Sequence, residues 1–238
     1  MISSEHLSKR IDQYLNKSGT NDQFKISVPD KVRAINSAQI ILIKRKVGMN
    51  NVYKMGFESF RKRFDDLDFL IQKEIEMNIT KSNNNLVVST TSLPDYMFYI
   101  NSYCTADRGN CKNRKIYNIL VPNNDVQNYL KDANYKPSFD WQEQLMTMST
   151  DNLVLHKAED YTLNKLYIDY LRLPKSVDII GYKKRLPNSQ VVNSTTIDCE
   201  FPPHLEDELL DIIVEQLAMT ITDNAQVQYS QSRQQNNE

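Results

Sequence analysis

Histidines, cysteines and a short acidic run are the side chains of this sequence that could do chemistry, given the right spacing. His6, His156 and His204 are dispersed. None stands in a His-Glu-x-x-His arrangement, which would put two imidazoles on one helix face for zinc. His204, at a helix start, reads as a surface or interface residue rather than a catalytic base. Cys104 and Cys111 flank a predicted hairpin turn and could face each other. With no second cysteine pair or nearby histidine to complete a zinc site, two free thiols are the better reading. Asp65, Asp66 and Asp68 form an acidic cluster that could bind a cation, and with His156 they could serve a metal-dependent nuclease or wall hydrolase. A solvated helix face is the commoner role for such a run. Trp141 and the 13 tyrosines could stack on bases, but at strand spacing they read as filling a core or an interface.

Glycine scarcity excludes more chemistry. Only five glycines occur, and the closest two, Gly48 and Gly56, stand eight positions apart, so no phosphate-cradling loop or dinucleotide fingerprint is present. There is no Gly-x-Ser-x-Gly elbow for a nucleophilic serine. No catalytic, cofactor-binding or metal-binding residue is assigned, and no cofactor is expected.

Thirty acidic against 29 basic side chains leave a net charge of −1. That balance argues against a dedicated nucleic-acid binder, which draws affinity from surplus Lys and Arg. The longest apolar run, Ile40 to Ile43, is far short of the roughly 20 residues of a membrane span. Met1 to His6 lacks the basic start and apolar stretch of a secretory signal, and three cysteines make no disulfide framework, so synthesis in a reducing cytoplasm is expected.

The elements read as helices at both ends around a strand-rich middle. Leu7, Ile11, Tyr14 and Leu15 make one stripe of a helix over 5–16. A second helix starts at Pro29-Asp30 and runs to about Val47, with Val32, Ile35 and Ala38 on one stripe before Ile40 to Ile43 widen it. Phe57, Phe60, Phe64 and Leu67 mark a third helical stretch. Ile75, Met77 and Ile79 then alternate as a half-buried strand requires, Asn83 to Asn85 turns, and Leu86 to Val88 begins a partner strand. Further strands are predicted at 96–103, 113–121, 141–148, 152–157, 162–172 and 176–181, with a short helix from Asp125 to Asp132. This spacing predicts antiparallel hairpins in a small sandwich or barrel, so the fold class is α+β.

The last helix begins at Pro202-Pro203 with Glu206, Asp207 and Glu208 in its first turn. Its apolar residues, Leu205 to Ile221, cover well over half the circumference, wider than the roughly 100° stripe of a surface helix. Such a helix is either sandwiched inside its own domain or shared between its domain and a neighbouring subunit, and the second is slightly favoured. Leu209, Ile213 and Leu217 are its expected packing and interface residues. After Val227 no aliphatic residue remains, so Tyr229 to Glu238, including Arg233, is expected to order only against a partner.

Several short motifs, in order, resemble the head–tail connector (adaptor) family of tailed phages. They are Ile35-Asn36-Ser37-Ala38 in the second helix, Leu93-Pro94-Asp95-Tyr96 opening a strand, and Asn134-Tyr135-Lys136-Pro137 followed by Trp141. Leu166 to Lys175, with its Tyr-Leu-Arg and following proline, and the acidic, proline-containing stretch Asp198 to Ile212 complete the set. The Asn-, Lys-, Ile- and Tyr-rich style resembles the first ring protein of crAss-like phages. The resemblance implies a helical bundle from both chain ends (1–72 and 201–228), an inserted β domain (73–200) and a docking tail (229–238). It also implies a homo-oligomeric ring of twelve in the virion, at the head–tail junction. The portal would lie above it, another ring or tail protein below, and DNA would pass through the lumen without sequence-specific binding. The rival expectations are a phage-encoded monomeric binding module and the metal-dependent hydrolase named above.

Overall fold

The computed structural model describes residues 1–16, 26–47, 65–82, 85–149, 151–157, 161–185 and 189–221. Phe57, Phe60 and Phe64 of the expected third helix, Asn83 and Asn84 of the expected turn, and the tail from Tyr229 to Glu238 lie outside the described residues. The architecture is mixed α+β. In chain order it runs α1 (Ser4–Asn16), α2 (Val28–Val47), β1 (Ile71–Asn78), β2 (Thr80–Ser82), β3 (Asn85–Ser89), β4 (Tyr96–Arg108) and β5 (Cys111–Leu120). Then come α3 (Val126–Lys131), β6 (Glu143–Met148), β7 (Asn152–His156), β8 (Thr162–Arg172), β9 (Lys183–Arg185), β10 (Val191–Asn193) and α4 (Glu206–Ile221). No helix among the described residues is long and apolar enough to cross a membrane.

Two compact units divide the chain: residues 1–69 with 174–238, and residues 70–173. The unit that holds the eight-stranded sheet spans Leu70–Leu173, and the short strands β9 and β10 fall in the other unit. The expected strand at 176–181 forms only an isolated bridge, Asp178 to Ile197. Its apolar side chains Val177 and Ile179 are buried in the unit that holds the helices.

In the sheet unit all eight strands join one sheet, in the order β1-β8-β4-β5-β6-β7-β3-β2. Strands β1 and β2 lie at opposite edges, yet a single residue, Ile79, separates them in the chain. A flat sheet of this width would hold those edges roughly 34 Å apart at about 4.8 Å per strand, whereas two residues of chain span about 7 Å at most. The sheet is therefore curled until its edges approach each other at Ile79. Bulges supply the bending. The register shifts between Gln72 and Ile75 in β1 and three times along β4. One apolar core fills the concave side, drawing Met77 from β1, Val88 from β3 and Cys104, Ile116, Met146, Leu155 and Ile168 from the strands between.

The expectation of antiparallel pairing throughout fails at one place. Strands β5 and β6 are parallel, with Tyr117 opposite Glu143 and Ile119 opposite Leu145. A parallel pair needs a crossover of a dozen or more residues, and residues 121–142, containing α3, provide it. Val126 of α3 packs with Val121 and Leu145 in a small second core.

In the helical unit α4 packs against both α1 and α2. The α1 stripe is buried at Leu7, Ile11 and Leu15, and α2 buries Val32, Ile35, Ala38, Leu42 and Ile43. The segment from 174 onward is tied to these helices by polar clamps. Asn36 of α2 donates to the Val177 carbonyl (3.0 Å) and accepts from its N–H (2.7 Å), replacing a backbone partner on both sides. Ile2 and Cys199 exchange two backbone hydrogen bonds of 2.9 and 3.0 Å.

Candidate functional site

The helical unit gathers charged side chains around the start of α4. Lys46, near the end of α2, reaches Asp66 at 2.9 Å and Glu208 at 2.7 Å, and the Asp66 carboxylate also meets His204 at 3.1 Å. Burial alone would lower the Lys46 pKa, but the hydrogen bonds to Glu208 and Asp66 outweigh it and hold it above the ordinary value. Arg10 of α1 bridges Glu206 (2.9 Å) and Asp207 (3.1 Å), and His6 also contacts Glu206 at 3.0 Å. The acids that the helix dipole favours in the first turn of α4 are therefore also tied to cations from α1 and α2. Asp66 is not the solvated residue expected from the acidic run: it is buried, with Lys46 as its counter-ion. Among the described residues no group of three or more His, Cys, Asp or Glu could hold a metal.

A second polar centre closes the β9–β10 hairpin. Buried Asp178 accepts from Tyr182 Oη (2.9 Å), Lys184 Nζ (2.5 Å), and the N–H groups of Thr195 and Ile179 (3.1 Å each). Burial would raise its pKa, yet the bonds from Lys184, Thr195 and Tyr182 hold it below the usual carboxylate range. Burial and the neighbouring Asp178 push Tyr182 up to about 12.

The remaining candidates do not converge. In the sheet unit His156 hydrogen-bonds Thr147 Oγ1 at 3.0 Å, and burial lowers its pKa. Cys104 and Cys111 do not face each other: in the β4–β5 hairpin Cys104 sits opposite Ile116 and Cys111 opposite Arg108. Cys104 is buried and Cys111 exposed, because the turn falls closer to Cys111. Burial pushes the Cys104 thiol up to about 12 and Cys199 up to about 11, the reverse of what a reactive thiol needs.

Leu209, Ile213 and Leu217 are all buried within the chain itself, as are Leu210, Ile212, Val214 and Ala218 around them. The broad apolar girdle of α4 is taken up by the chain's own helical unit, including α1 and α2.

The convex face of the sheet was missed by sequence reasoning. Across it, Glu76, Tyr167, Tyr103 and Tyr117 stand in register on four successive strands. Tyr103 and Tyr167 stack at 5.0 Å, and Lys115 lies 4.3 Å over the Tyr103 ring. The two hydroxyls donate to Glu74 (3.2 Å) and Glu76 (3.3 Å). Tyr117 and Ile119, on the same face of β5, are left 52% and 42% exposed. The Tyr117 N–H donates to Gln142 O at 2.8 Å, and Trp141, next to Gln142 in the chain, is 81% exposed. Trp141 was expected to fill a core or an interface, and it lies outside the chain's own core. Its signal in the sequence is slight: the Phe139 to Gln142 turn lifts it out.

Two motifs that carry the resemblance meet within the sheet unit. Leu173 N–H donates to Asp95 O (2.7 Å), Tyr170 Oη donates to Pro94 O (3.0 Å), and the Tyr96 and Tyr170 rings lie 5.6 Å apart.

No protein with curated annotation matches the chain. A family model described as phage tail ring protein 3/4, of the crAss type, matches residues 2–230. It corrects the resemblance to the first ring protein, which rested on compositional style, a property that does not distinguish one ring protein from another. With nearly its whole length matched, the chain belongs to the phage tail ring protein 3/4 family.

Proposed function

We propose that this chain is a non-catalytic subunit of a ring that joins the phage portal to the tail and keeps a channel open for DNA. Twelve copies at the head–tail junction, bounded by the portal and by a further ring or tail protein, make up the assembly. The family match over residues 2–230 is the observation that carries the reading. Ring closure by head-to-tail contacts between copies is the physical work. A net charge of −1 suits a lumen that must release DNA, since surplus Lys and Arg would retain it. In this reading the helices from both chain ends form the bundle, and Tyr229 to Glu238 is the arm that docks on a neighbour.

Quantitative mass spectrometry of purified virions tests the proposal. The chain is expected in the tail-bearing fraction at a fixed ratio near one copy per portal subunit. Absence from virions, or a ratio of one copy per particle, would overturn it.

A further inference from the structure

We propose that residues 225–230, just beyond α4, add as a further strand to the open edge of β1, at Ile75 to Asn78, in the next copy of this chain. The inference rests on the ring reading above and names the surface on which the chain end docks.

A strand at the end of a sheet presents a row of unpaired N–H and C=O groups, a template for another chain. Among the described residues β1 pairs with β8 alone and stands at one end of the strand order. Bulges and inward-pointing charges are the usual protection of such an edge. In β1 the bulge lies near its start, between Gln72 and Ile75, and leaves Ile75 to Asn78 in unbroken register. The side chains turned to the core here, Ile75, Met77 and the following Ile79, are all apolar. Met77 is buried, yet Ile75 and Ile79 are only half-buried, as core residues are where a sheet stops one strand short. At the opposite end of the sheet β2 has three residues, and β9 and β10 in the other unit have three each. Of these edges only that of β1, an eight-residue strand, is long enough to hold a segment.

The occupant is written in the sequence after α4, which ends at Ile221. Thr222, Asp223 and Asn224 are poor helix formers. Ala225, Val227 and Tyr229 then alternate with Gln226, Gln228 and Ser230, the period-2 pattern of a strand with one apolar face. That face matches the half-covered Ile75 and Ile79, and the segment from Ala225 to Ser230 carries no charge to desolvate. Three apolar side chains bury too little surface to dock by themselves, so main-chain hydrogen bonds must supply the rest, as in strand addition to a sheet edge. An edge and a strand are unlike surfaces carried by every copy. Pairing them head to tail closes a ring in which no edge is left over.

The test is hydrogen–deuterium exchange on the full chain, as monomer and assembled on portal, with mass photometry to follow assembly. In wild-type chain the fastest amides of Ile75 to Asn78 should slow at least about tenfold on assembly, and only then. A proline variant, Val227→Pro with Gln228→Pro, removes a ladder donor whichever way the strand faces. It should lose that protection and assemble about tenfold more weakly. A control, Val227→Thr with Gln228→Ser, keeps every donor and should keep the protection. Both pairs of changes lie beyond the last helix, and circular-dichroism melting checks that both variants fold. Protection already present in the monomer would assign the edge to the chain's own end, and protection kept by the proline variant would assign it to portal. Either result, unchanged assembly of the proline variant, or assembly with no change at β1 overturns the inference while leaving the ring reading standing. Wild-type chain that stays monomeric even with portal overturns the ring reading and the inference with it.

Discussion

Helix α4 and strand β5 are both rich in apolar residues, and they use them in opposite ways. In α4 the apolar girdle is consumed by the chain itself, leaving Leu209, Ile213 and Leu217 buried. In β5 the inward positions include a polar residue, Asn118, whose amide donates to Ser102 Oγ at 2.8 Å, while Tyr117 and Ile119 point outward. A wide apolar helix here lies inside the molecule, while an inverted strand pattern leaves apolar side chains on its surface. Apolar content alone does not separate the two; what matters is whether the chain has elements of its own to cover it.

The comparison can be broken at several points. The largest effect is expected from Ile213→Ala, a cavity in the middle of the helical unit, which should cost about 4 kcal/mol in denaturant unfolding. A loss under about 1 kcal/mol would mean that α4 is not a core element. Next comes Lys46→Met, which leaves the buried Asp66 carboxylate without its main counter-ion and should cost about 3 kcal/mol. Asn36→Ala strands both backbone groups of Val177 and should cost about 2 kcal/mol, read as a lower midpoint at unchanged slope.

Acid titration sharpens the picture of the hairpin. Asp178 has a depressed folded-state pKa, so its stabilisation is present above its unfolded value of about 3.9 and is lost as pH falls through the lower folded value. Asp178→Asn should therefore flatten the acid side of the stability profile. An unchanged slope would show that other carboxylates govern it. The smallest effect on stability belongs to Tyr117→Ser, within about 0.5 kcal/mol, because the residue touches little of its own core. A large loss would make β5 another buried element and erase the contrast with α4.

Much of the fold is legible from periodicity. The helices over 5–16 and from Pro29 to Val47, the strands at 152–157 and 162–172 and the short helix near 125–132 follow from regular spacing and their observed bounds lie close by. What escaped was set by tertiary partners. Ile75, Met77 and Ile79 read as one strand, but the chain passes from one sheet edge to the other at Ile79, and local alternation carries no sign of that. The run at 176–181 has strand chemistry, yet it makes only the Asp178–Ile197 bridge, and Asn36, far away in sequence, takes the backbone partner's place at Val177. The parallel β5–β6 pair depends on the crossover through α3. The exposed stripe was hidden because Lys115-Ile116-Tyr117-Asn118-Ile119 carries apolar residues at alternate and adjacent positions, so the inward face cannot be chosen without the neighbouring strands.

The central claim, that this chain works as one of many identical copies in a ring, is tested most directly by native mass measurement of the full-length protein bound to portal. The account predicts a complex whose mass exceeds that of the portal by about twelve times the 27.8 kDa of one chain. A single chain bound to a portal assembly, or one chain per host protein, would contradict it.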